Sequence, residues 1–451
     1  MIDIASFIPE ELKEMAKLFP EKAPLYVVGG FIRDAIEFNK PSQDIDLASG
    51  LTPPELAYVL KESKFAVKPA SPRIGTMIIK GEKAYEYTAF RIDSYPKGRG
   101  THAPQEVTFT RSLEKDAKRR DFKCNAIYYD ILRDKIIDPL GGIEDIQRKL
   151  ISTTDNPNII LSQDGLRIMR LARMVSNLGY KIDESTLKAA KEQSWRLKDI
   201  SIERITTELI KILLGDNAYD GLSLLRTIGA LKYIVPELAN CDKVPQNEKY
   251  HKYDVLEHTF KCVEYSPKKI RVAALFHDIA KPVCQAKDGN MYKHDIVGAS
   301  MTKKILKRMK FPNQVIDYTE ELVGAHMFDL SKTAKKATIR RFIVAHPDNI
   351  IDIIALQRAD ALATGMVSEE EINNRIFEEL LEMQDKKVPM RMGDLNINGD
   401  DLYKIGFRGT KIGDLLNEMF DNCVIGCIPN TRESLIQYAE RKWSKFNDGN
   451  S

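Results

Sequence analysis

Two aspartates early in the chain, Asp44 and Asp46, have the spacing of a carboxylate pair that binds metal ions. Their apolar neighbours predict a β-strand, and side chains alternate between the faces of a strand, so both carboxylates should lie on one face. Two such charges repel each other unless a cation lies between them. Sites that transfer phosphoryl groups with two metal ions supply that cation. The pair therefore indicates phosphoryl-transfer chemistry, although the same spacing also occurs on solvated strand edges.

A double glycine, Gly29-Gly30, follows a short apolar run and precedes Arg33. Glycine permits a tight turn, and the backbone N–H groups at the start of a helix bind phosphate. A guanidinium group adds a fixed positive charge. The predicted order is a strand, a turn, a helix and a second strand that carries the carboxylate pair. This order favours a nucleotidyltransferase whose glycine turn and arginine bind a nucleoside triphosphate.

Further motifs follow in order along the first half of the chain: Arg119-Arg120-Asp121-Phe122, the segment 138–145, Asp164 with Arg167, Arg170 and Arg173, Glu203-Arg204 with Glu208, and the segment 229–237. With these motifs the chain resembles the class II tRNA nucleotidyltransferases of the bacterial CCA-adding type. The resemblance implies an α+β fold. A polymerase-β-like mixed sheet with helices would form the N-terminal head, and the remainder would be all-α.

The same resemblance implies template-independent addition of CCA to the 3′ ends of tRNA from CTP and ATP, with release of pyrophosphate. Asp44 and Asp46 would be the catalytic residues and would hold Mg²⁺. The expected partners are tRNA, CTP and ATP, with no DNA and no membrane. The residues expected to bind nucleotide are Gly29, Gly30, Arg33, Arg120, Asp164, Arg167, Arg170 and Arg173.

A helix beginning near Ser162 is predicted to carry Asp164 and the three arginines at steps of three residues, which form one polar stripe. An aspartate accepts hydrogen bonds, and an arginine donates them in a planar fork. Cytosine and adenine each present an amine beside an acceptor nitrogen, whereas uracil and guanine present a carbonyl beside an N–H. The resemblance implies that Asp164 and Arg167 pair with cytosine or adenine and reject uracil and guanine. It also implies that Arg170 and Arg173 face the triphosphate or the primer.

Some assignments stay open at this point. The family usually has a glutamate where this chain has Gln163, which puts the fidelity of base selection in doubt. Arg119 could contact the nucleotide in place of Arg120. Glu86 is either a third metal-binding carboxylate or a surface residue. Glu203, Arg204 and Glu208 are expected to form a helix-stabilising network rather than to take part in the chemistry.

Six of the seven histidines lie between residues 251 and 346. His258, His277-Asp278 and Asp360 follow the order of the HD phosphohydrolase signature, and their ligand types suit a divalent transition metal or Mg²⁺. His294 and His326 could extend the cluster towards a second ion or a phosphate. A secondary phosphohydrolase activity is therefore possible, and a degenerate HD fold kept only as a helical scaffold is the alternative.

The chain is expected to divide into a catalytic head over residues 1–150, a nucleotide-selecting neck over 151–240, an HD domain over 241–385 and an RNA-contacting helical tail over 386–451. The segment from Asp93 to Pro104 should be a mobile loop, and no strand is expected after Ser162.

The composition favours a soluble globular protein, with a net charge of only +3 and no apolar run long enough to span a membrane. The six cysteines have no metal-site spacing and fit reduced thiols of a cytoplasmic protein. Three rival functions remain: a bacterial poly(A) polymerase, an enzyme that adds only CC or only A, and an HD phosphohydrolase with a vestigial transferase head. The oligomeric state stays open.

Overall fold

The structure is a computed structural model that describes residues 3–95, 104–372 and 374–448. The chain forms two compact units, Met1–Ala239 and Asn240–Ser451. Within the described residues, none of the helices combines the length and the apolar composition needed to cross a bilayer.

The strands of the described residues all lie in the first unit: β1 (Tyr26–Val28), β2 (Asp46–Ser49), β3 (Ala66–Ser71), β4 (Thr76–Lys80), β5 (Ala84–Ala89), β6 (Arg91–Ser94), β7 (Glu106–Phe109), β8 (Tyr128–Asp130), β9 (Lys135–Ile137), β10 (Leu150–Ile151) and β11 (Lys181–Ile182). Seven of them form a mixed sheet in the order β3-β4-β5-β2-β1-β8-β9. Within this sheet β2 and β5 are parallel, and the other neighbours are antiparallel. Strands β6 and β7 form a separate antiparallel ribbon, and β10 and β11 pair in parallel.

The helices of the first unit are α1 (Glu10–Ala16), α2 (Gly30–Phe38), α3 (Pro53–Val59), α4 (Leu113–Arg119), α5 (Gly142–Gln147), α6 (Pro157–Gln163), α7 (Leu166–Leu178), α8 (Glu184–Gln193), α9 (Ile202–Leu213), α10 (Ala218–Thr227), α11 (Leu231–Ile234) and α12 (Pro236–Ala239). The sheet supplies the core of the head, where β1 is buried along its whole length. The rings of Tyr26, Phe90 and Tyr128 pack together at centroid distances of 5.7–6.1 Å.

The helices of the second unit are α13 (Val255–Tyr265), α14 (Arg271–Phe276), α15 (Lys281–Asp288), α16 (His294–Arg308), α17 (Asn313–Ala325), α18 (Lys336–Ala345), α19 (Ile350–Ala363), α20 (Arg375–Asp385), α21 (Gly399–Ile405), α22 (Thr410–Val424) and α23 (Arg432–Asp448). Helix α13 packs against α19, and α16 packs against α17. A separate core in α21–α23 is built around Leu402, Met419 and Leu435. Short 3₁₀ helices connect elements of both units: Ile4–Phe7, Pro72–Ile74, Lys123–Asn125, Ser194–Asp199, Lys268–Ile270, Glu369–Glu371 and Met392–Asp394.

The α+β fold class is confirmed, with a mixed sheet in the head and a largely helical remainder. The prediction of no strand after Ser162 is wrong at β11, a strand too short to show a hydrophobic period. Strand β2 begins at Asp46, so Asp44 precedes the strand rather than lying on it. In the segment predicted to be mobile, Asp93 belongs to the β6–β7 ribbon. Ser94 belongs to the same ribbon, and residues 96–103 of the predicted loop lie outside the described residues.

The helix predicted to begin near Ser162 is in fact two helices. Ser162 lies in the last turn of α6, and α7 starts at Leu166. Asp164 stands between them with an extended backbone, at φ −144° and ψ 112°. A Cβ atom on Gly165 would lie 2.8 Å from the main-chain oxygen of Arg196, so the chain packs too closely here for a larger residue. The break places the Asp164 carboxylate at the start of α7.

Candidate active site and metal centre

Three carboxylates gather where β2 begins. Asp46 pairs with Glu86 in the parallel register of β2 and β5, so their side chains lie side by side on one face of the sheet. Asp44 precedes Asp46 by two residues, and both keep solvent-accessible side chains. The sequence alone does not decide whether Glu86 is a metal ligand or a surface residue. The strand register places it beside the carboxylate pair of Asp44 and Asp46.

The charges of these carboxylates are not independent. The Asp46 side chain touches solvent, yet the protein around it still desolvates the carboxylate and raises its pKa, with Arg120 opposing the rise and Asp44 adding to it. Burial, followed by the charge of Asp46, raises the pKa of Glu86. Clustered carboxylates with raised pKa values are the electrostatic signature of a cation-binding site.

The glycine turn lies directly against these acids. Gly29 has a φ of +89°, and a Cβ atom there would lie 3.3 Å from Oδ2 of Asp46. Helix α2 begins at the next residue, so its first N–H groups face the same region as the carboxylates. The structure thus brings an anion-binding helix start and a cation-binding acid cluster together, as a metal-bound triphosphate requires.

Arg33 is already engaged within the protein. Its guanidinium donates to Oδ1 of Asp34 at 2.6–2.8 Å and to Oδ1 of Asn125 at 2.6 Å. It also lies 3.6 Å from the sulfur of Met174, so it links α2 to α7. Asp34 offsets part of the charge of Arg33. A contact between Arg33 and a triphosphate remains a prediction.

A buried aspartate that the sequence analysis missed holds the arginine pair of α4. Oδ1 of Asp116 accepts from Nε of Arg119 at 2.8 Å, and Oδ2 accepts from Arg120 at 3.2 Å and from the Tyr128 hydroxyl at 2.7 Å. The signal was its position three and four residues before the arginines on one helix. Of this pair, Arg120 is the one whose charge lowers the pKa of Asp46, as the charge of Arg170 also does. Arg119 lies 3.9 Å from Asp93.

Arg167 is held rigidly by acceptors on three sides. Its Nη1 donates to the carbonyl of Ile160 at 2.9 Å and to Oε1 of Gln163 at 3.0 Å, and its Nη2 donates to the carbonyl of Arg119 at 2.7 Å. The side chain is buried. Gln163, which departs from the usual glutamate, therefore still orients this arginine, as a neutral acceptor.

Asp164 caps α7 and is fixed by a second contact. Its Oδ1 accepts from the N–H of Leu166 at 3.0 Å, and its Oδ2 lies 3.4 Å from the guanidinium of Arg204. Asp164 and Arg167 thus lie at the same helix start, each with its own support. This placement is compatible with the role expected for Asp164 as a polar partner at the nucleotide site.

The other two arginines of α7 are paired with acids. Arg170 lies 2.6 Å from Asp121, and Arg173 lies 3.0 Å from Glu208 on α9. Arg204 and Glu208 extend from α9 to Asp164 and Arg173, so the predicted helix-stabilising network links α9 to α7 and to the residues just before it. Arg170 and Arg173 remain candidates for substrate contact, although each already balances a buried carboxylate.

The second unit contains a compact histidine–aspartate centre. Nε2 of His258 lies 3.2 Å from Nε2 of His277, 3.3 Å from Asp278 and 2.9 Å from Asp360. Nε2 of His277 lies 3.2 Å from Asp278 and 3.5 Å from Asp360. All four HD residues predicted from the sequence therefore converge on one point, and this arrangement suits a divalent metal ion.

The electrostatics of this centre call for positive charge. Burial acts to raise the pKa of Asp278, but His277 and Lys281 outweigh it and hold the pKa well below its usual range. Burial acts to lower the pKa of His277, but Asp278 outweighs it and holds the pKa well above its usual range. Burial, with the charge of His277, lowers the pKa of His326 to about 4. A metal ion bound to Asp278 would supply positive charge at this point.

Three segments of the chain match known protein families. Residues 25–152 match the poly A polymerase head domain, residues 179–242 match a probable RNA and SrmB-binding site of polymerase A, and residues 249–365 match the HD domain. The structure of the CCA-adding enzyme of Bacillus stearothermophilus in complex with CTP is similar at a TM-score of 0.68 and 24% identity, covering 98% of this chain and 99% of that one. The CCA-adding enzyme of Thermotoga maritima complexed with tRNA is similar at a TM-score of 0.60 and 18% identity, covering 96% and 95%. At these identities the two structures support the fold.

The sequence relatives support more than the fold. The CCA-adding enzyme of Enterococcus faecalis is 30% identical over 97% of this chain and 98% of its own length. The CCA-adding enzyme of Ligilactobacillus salivarius is 30% identical over the same shares. The similarity includes the head, the selecting helices and the second unit, and on this evidence the chain belongs to the family of CCA-adding enzymes.

Proposed function

We propose that the protein adds CCA to the 3′ ends of tRNA, using CTP and ATP and releasing pyrophosphate. The observation that carries the proposal is the acid cluster of Asp44, Asp46 and Glu86 against the glycine turn. Two neighbouring residues also connect the proposed base-reading residue with the acid cluster. The carbonyl of Arg119 accepts a hydrogen bond from Arg167, and the charge of the next residue, Arg120, lowers the pKa of Asp46.

The acid cluster would hold Mg²⁺, which lowers the repulsion between the triphosphate and the incoming hydroxyl. Asp44 and Asp46 are the proposed catalytic residues, with Glu86 as a further ligand. The 3′-oxygen of the primer forms a bond to the α-phosphorus as the bond to pyrophosphate breaks. The N–H groups after Gly29 and the guanidinium of Arg120 would meet the charge on the phosphates.

Asp164 and Arg167 are the proposed readers of the base. The Asp164 carboxylate would accept from the exocyclic amine of cytosine or adenine, and Arg167 would donate to the adjacent ring nitrogen. Uracil and guanine would place a carbonyl against the carboxylate and an N–H against the guanidinium. The three fixed hydrogen bonds of Arg167 favour this role, because a reader of base identity must not rotate to suit the wrong base.

We retain the expected division into a head over 1–150, a neck over 151–240, an HD domain over 241–385 and an RNA-contacting tail over 386–451. The tRNA would be bound mainly by its shape and its phosphates. A cytoplasmic location follows from the proposed substrates and agrees with six free cysteines.

A second activity, hydrolysis of phosphate esters, is proposed for the HD centre. The observation that favours it is that His258 and His277 lie 3.2 Å apart and each lies within 3.5 Å of both Asp278 and Asp360. Imidazole and carboxylate ligands of this kind hold metal ions that activate water for attack on phosphorus.

The primary proposal is tested by incubating the full chain with tRNA that lacks CCA and with all four nucleoside triphosphates, and then sequencing the products. We expect tRNA ending in CCA, no growth beyond it, and no product from Asp46→Asn. Runs of A on unstructured RNA would show a poly(A) polymerase instead. Products that stop at CC, or addition only to tRNA already ending in CC, would show one of the partial enzymes.

A further inference from the structure

The guanidinium of Arg33 lies at the start of α2 with one donor still available. Its Nη2 is the nearest side-chain atom, at 3.5 Å, to the position that a Cβ atom on Gly30 would take. Nε and Nη2 each donate to Oδ1 of Asp34, whereas Nη1 donates to Oδ1 of Asn125 and lies 3.6 Å from the sulfur of Met174. A guanidinium carries five N–H groups, so one N–H of Nη2 is left without an acceptor among the described residues.

Asn125 holds this guanidinium at its other terminal nitrogen. Arginine only donates hydrogen bonds, so the atom of Asn125 that lies 2.6 Å from Nη1 is the amide oxygen. The amide nitrogen then faces the sulfur of Met174 at 3.6 Å. Asn125 is the last residue of the 3₁₀ helix Lys123–Asn125, which packs against α2 and α5. The fold therefore fixes the amide oxygen, and the amide oxygen fixes the position of Nη1.

The charges around Arg33 explain why an amide suits this position better than a carboxylate. Asp34 already forms an ion pair with Arg33, and both side chains are largely buried. Burial raises the pKa of Asp34, and the charge of Arg33 opposes this rise. A second carboxylate at residue 125 would make the group net negative and would repel a phosphate. The uncharged oxygen of Asn125 orients the guanidinium without that repulsion.

A second arginine adds positive charge to the same region. Burial lowers the pKa of Arg173, Glu208 opposes this fall, and the charges of Arg170 and Arg33 add to it. Positive charges that lower each other's pKa values are stabilised by a nearby anion. A polyphosphate is such an anion, and its oxygens accept charge-assisted hydrogen bonds from guanidinium groups.

Met174 connects this arrangement to the base-reading helix. It is buried on α7, seven residues after Arg167. Residues seven apart lie on one face of a helix, about 10 Å from each other along the axis. The same helix therefore carries a proposed base-reading residue at its start and, two turns later, a residue in contact with Arg33 and Asn125.

We propose that Asn125 is a positioning residue for the triphosphate. It holds the Arg33 guanidinium at the start of α2, so that the free N–H of Nη2 and the first N–H groups of the helix bind the phosphates together. The inference rests on the proposed transfer from CTP and ATP, and it adds a residue that acts through Arg33. The ligand class is a polyphosphate with any base, because this contact is separate from the base-reading pair of Asp164 and Arg167.

The test is the binding of tripolyphosphate, with Mg²⁺ and without tRNA, to the full-length protein in isothermal titration calorimetry. Asn125→Ala should raise the Kd at least tenfold, because Nη1 loses its oxygen acceptor and the guanidinium can turn. Asn125→Asp keeps the shape and the acceptor but adds a negative charge, so it should raise the Kd further. The matched control is Asn217→Ala, since Asn217 donates to the carbonyl of Ser176 at 3.4 Å in the same unit. The control should keep the Kd of the unmodified protein.

Steady-state kinetics separate positioning from a purely structural role. The KM values for CTP and for ATP should rise by the same factor in each Asn125 variant, with the preference for CTP over UTP within twofold of the unmodified protein. A purely structural link between the 3₁₀ helix and α2 would survive in Asn125→Asp. A Kd in this variant equal to or below that of the unmodified protein would therefore overturn the proposal. Thermal unfolding shows whether each variant is folded, and Asn125→Asp decides the question if Asn125→Ala is not.

Failure of the proposed function gives a different result. If the unmodified protein adds neither C nor A to tRNA, but both Asn125 variants still bind tripolyphosphate more weakly, the positioning role holds and the proposed function fails. If the unmodified protein completes CCA and both variants keep its Kd and KM values, the proposed function holds and the role of Asn125 is rejected. Absence of tripolyphosphate binding by the unmodified protein would also overturn the role of Asn125.

Discussion

Replacing Asp164 separates base reading from helix capping. Asp164→Ala removes both the cap on the Leu166 N–H and the carboxylate that would meet the base. Asp164→Asn keeps an oxygen in the Oδ1 position for the cap, removes the charge and replaces Oδ2 by an NH2 group. The cap contributes about 1 kcal/mol to stability. The ion pair with Arg204, at 3.4 Å between partly exposed side chains, contributes about 0.2–1 kcal/mol.

The hydrogen bond from a base amine to a carboxylate is worth about 1.5–3 kcal/mol. Its loss corresponds to about a 10- to 150-fold fall in the preference for CTP over UTP, measured as the ratio of kcat/KM values on tRNA that ends at the discriminator base. We expect this fall in both variants, with a larger drop in melting temperature in Asp164→Ala, because only this variant also loses the hydrogen bond to the Leu166 N–H. Gln163→Glu should sharpen the preference modestly, because a charged acceptor holds Arg167 more firmly. The reading of the base by Asp164 would be refuted if Asp164→Asn kept its full preference for CTP.

Three further predictions concern the two metal sites. Asp46→Asn should lower nucleotide addition by several orders of magnitude without unfolding the protein, and near-normal activity would exclude Asp46 as a metal ligand. Because burial raises the pKa of Asp46 and of Glu86, protonation should compete with Mg²⁺ at a higher pH than for an ordinary carboxylate near ~4. The Mg²⁺ concentration for half-maximal addition should thus rise as the pH falls below neutral, and less steeply in Glu86→Gln; a flat profile would contradict this. The double variant His277→Ala with Asp278→Ala should abolish phosphoester hydrolysis and retain CCA addition, and loss of addition by the folded variant would show that the two activities are coupled.

The sequence predicts the local chemistry of the head well. Few residues other than glycine fit a tight turn, and few side chains other than carboxylates bind Mg²⁺. Gly29 and Asp46 can therefore be identified without a structure. The HD residues are found for the same reason, because few other side chains bind transition metals. The structure adds what depends on folding, such as the register that sets Glu86 beside Asp46.

The features that the sequence misses depend on contacts between distant elements. Strand β3 contains Pro69 and a register shift, and most of its side chains are exposed, so it lacks the apolar alternation of an inner strand. The support of Asp164 and Arg173 comes from α9, far away in the chain. The contacts of Arg33 with Asn125 and Met174 join residues far apart in the chain and have no counterpart in a residue pattern.

The most direct test of the central claim is stepwise extension of three tRNAs, ending at the discriminator base, at C and at CC, with each nucleoside triphosphate offered singly. Addition of C to the first two, of A to the third and of no other nucleotide to any of them is the predicted result. The account of a single site that selects C and then A would be contradicted if all three tRNAs were extended with one and the same nucleotide. It would also be contradicted if U or G were added at rates comparable to those of C and A.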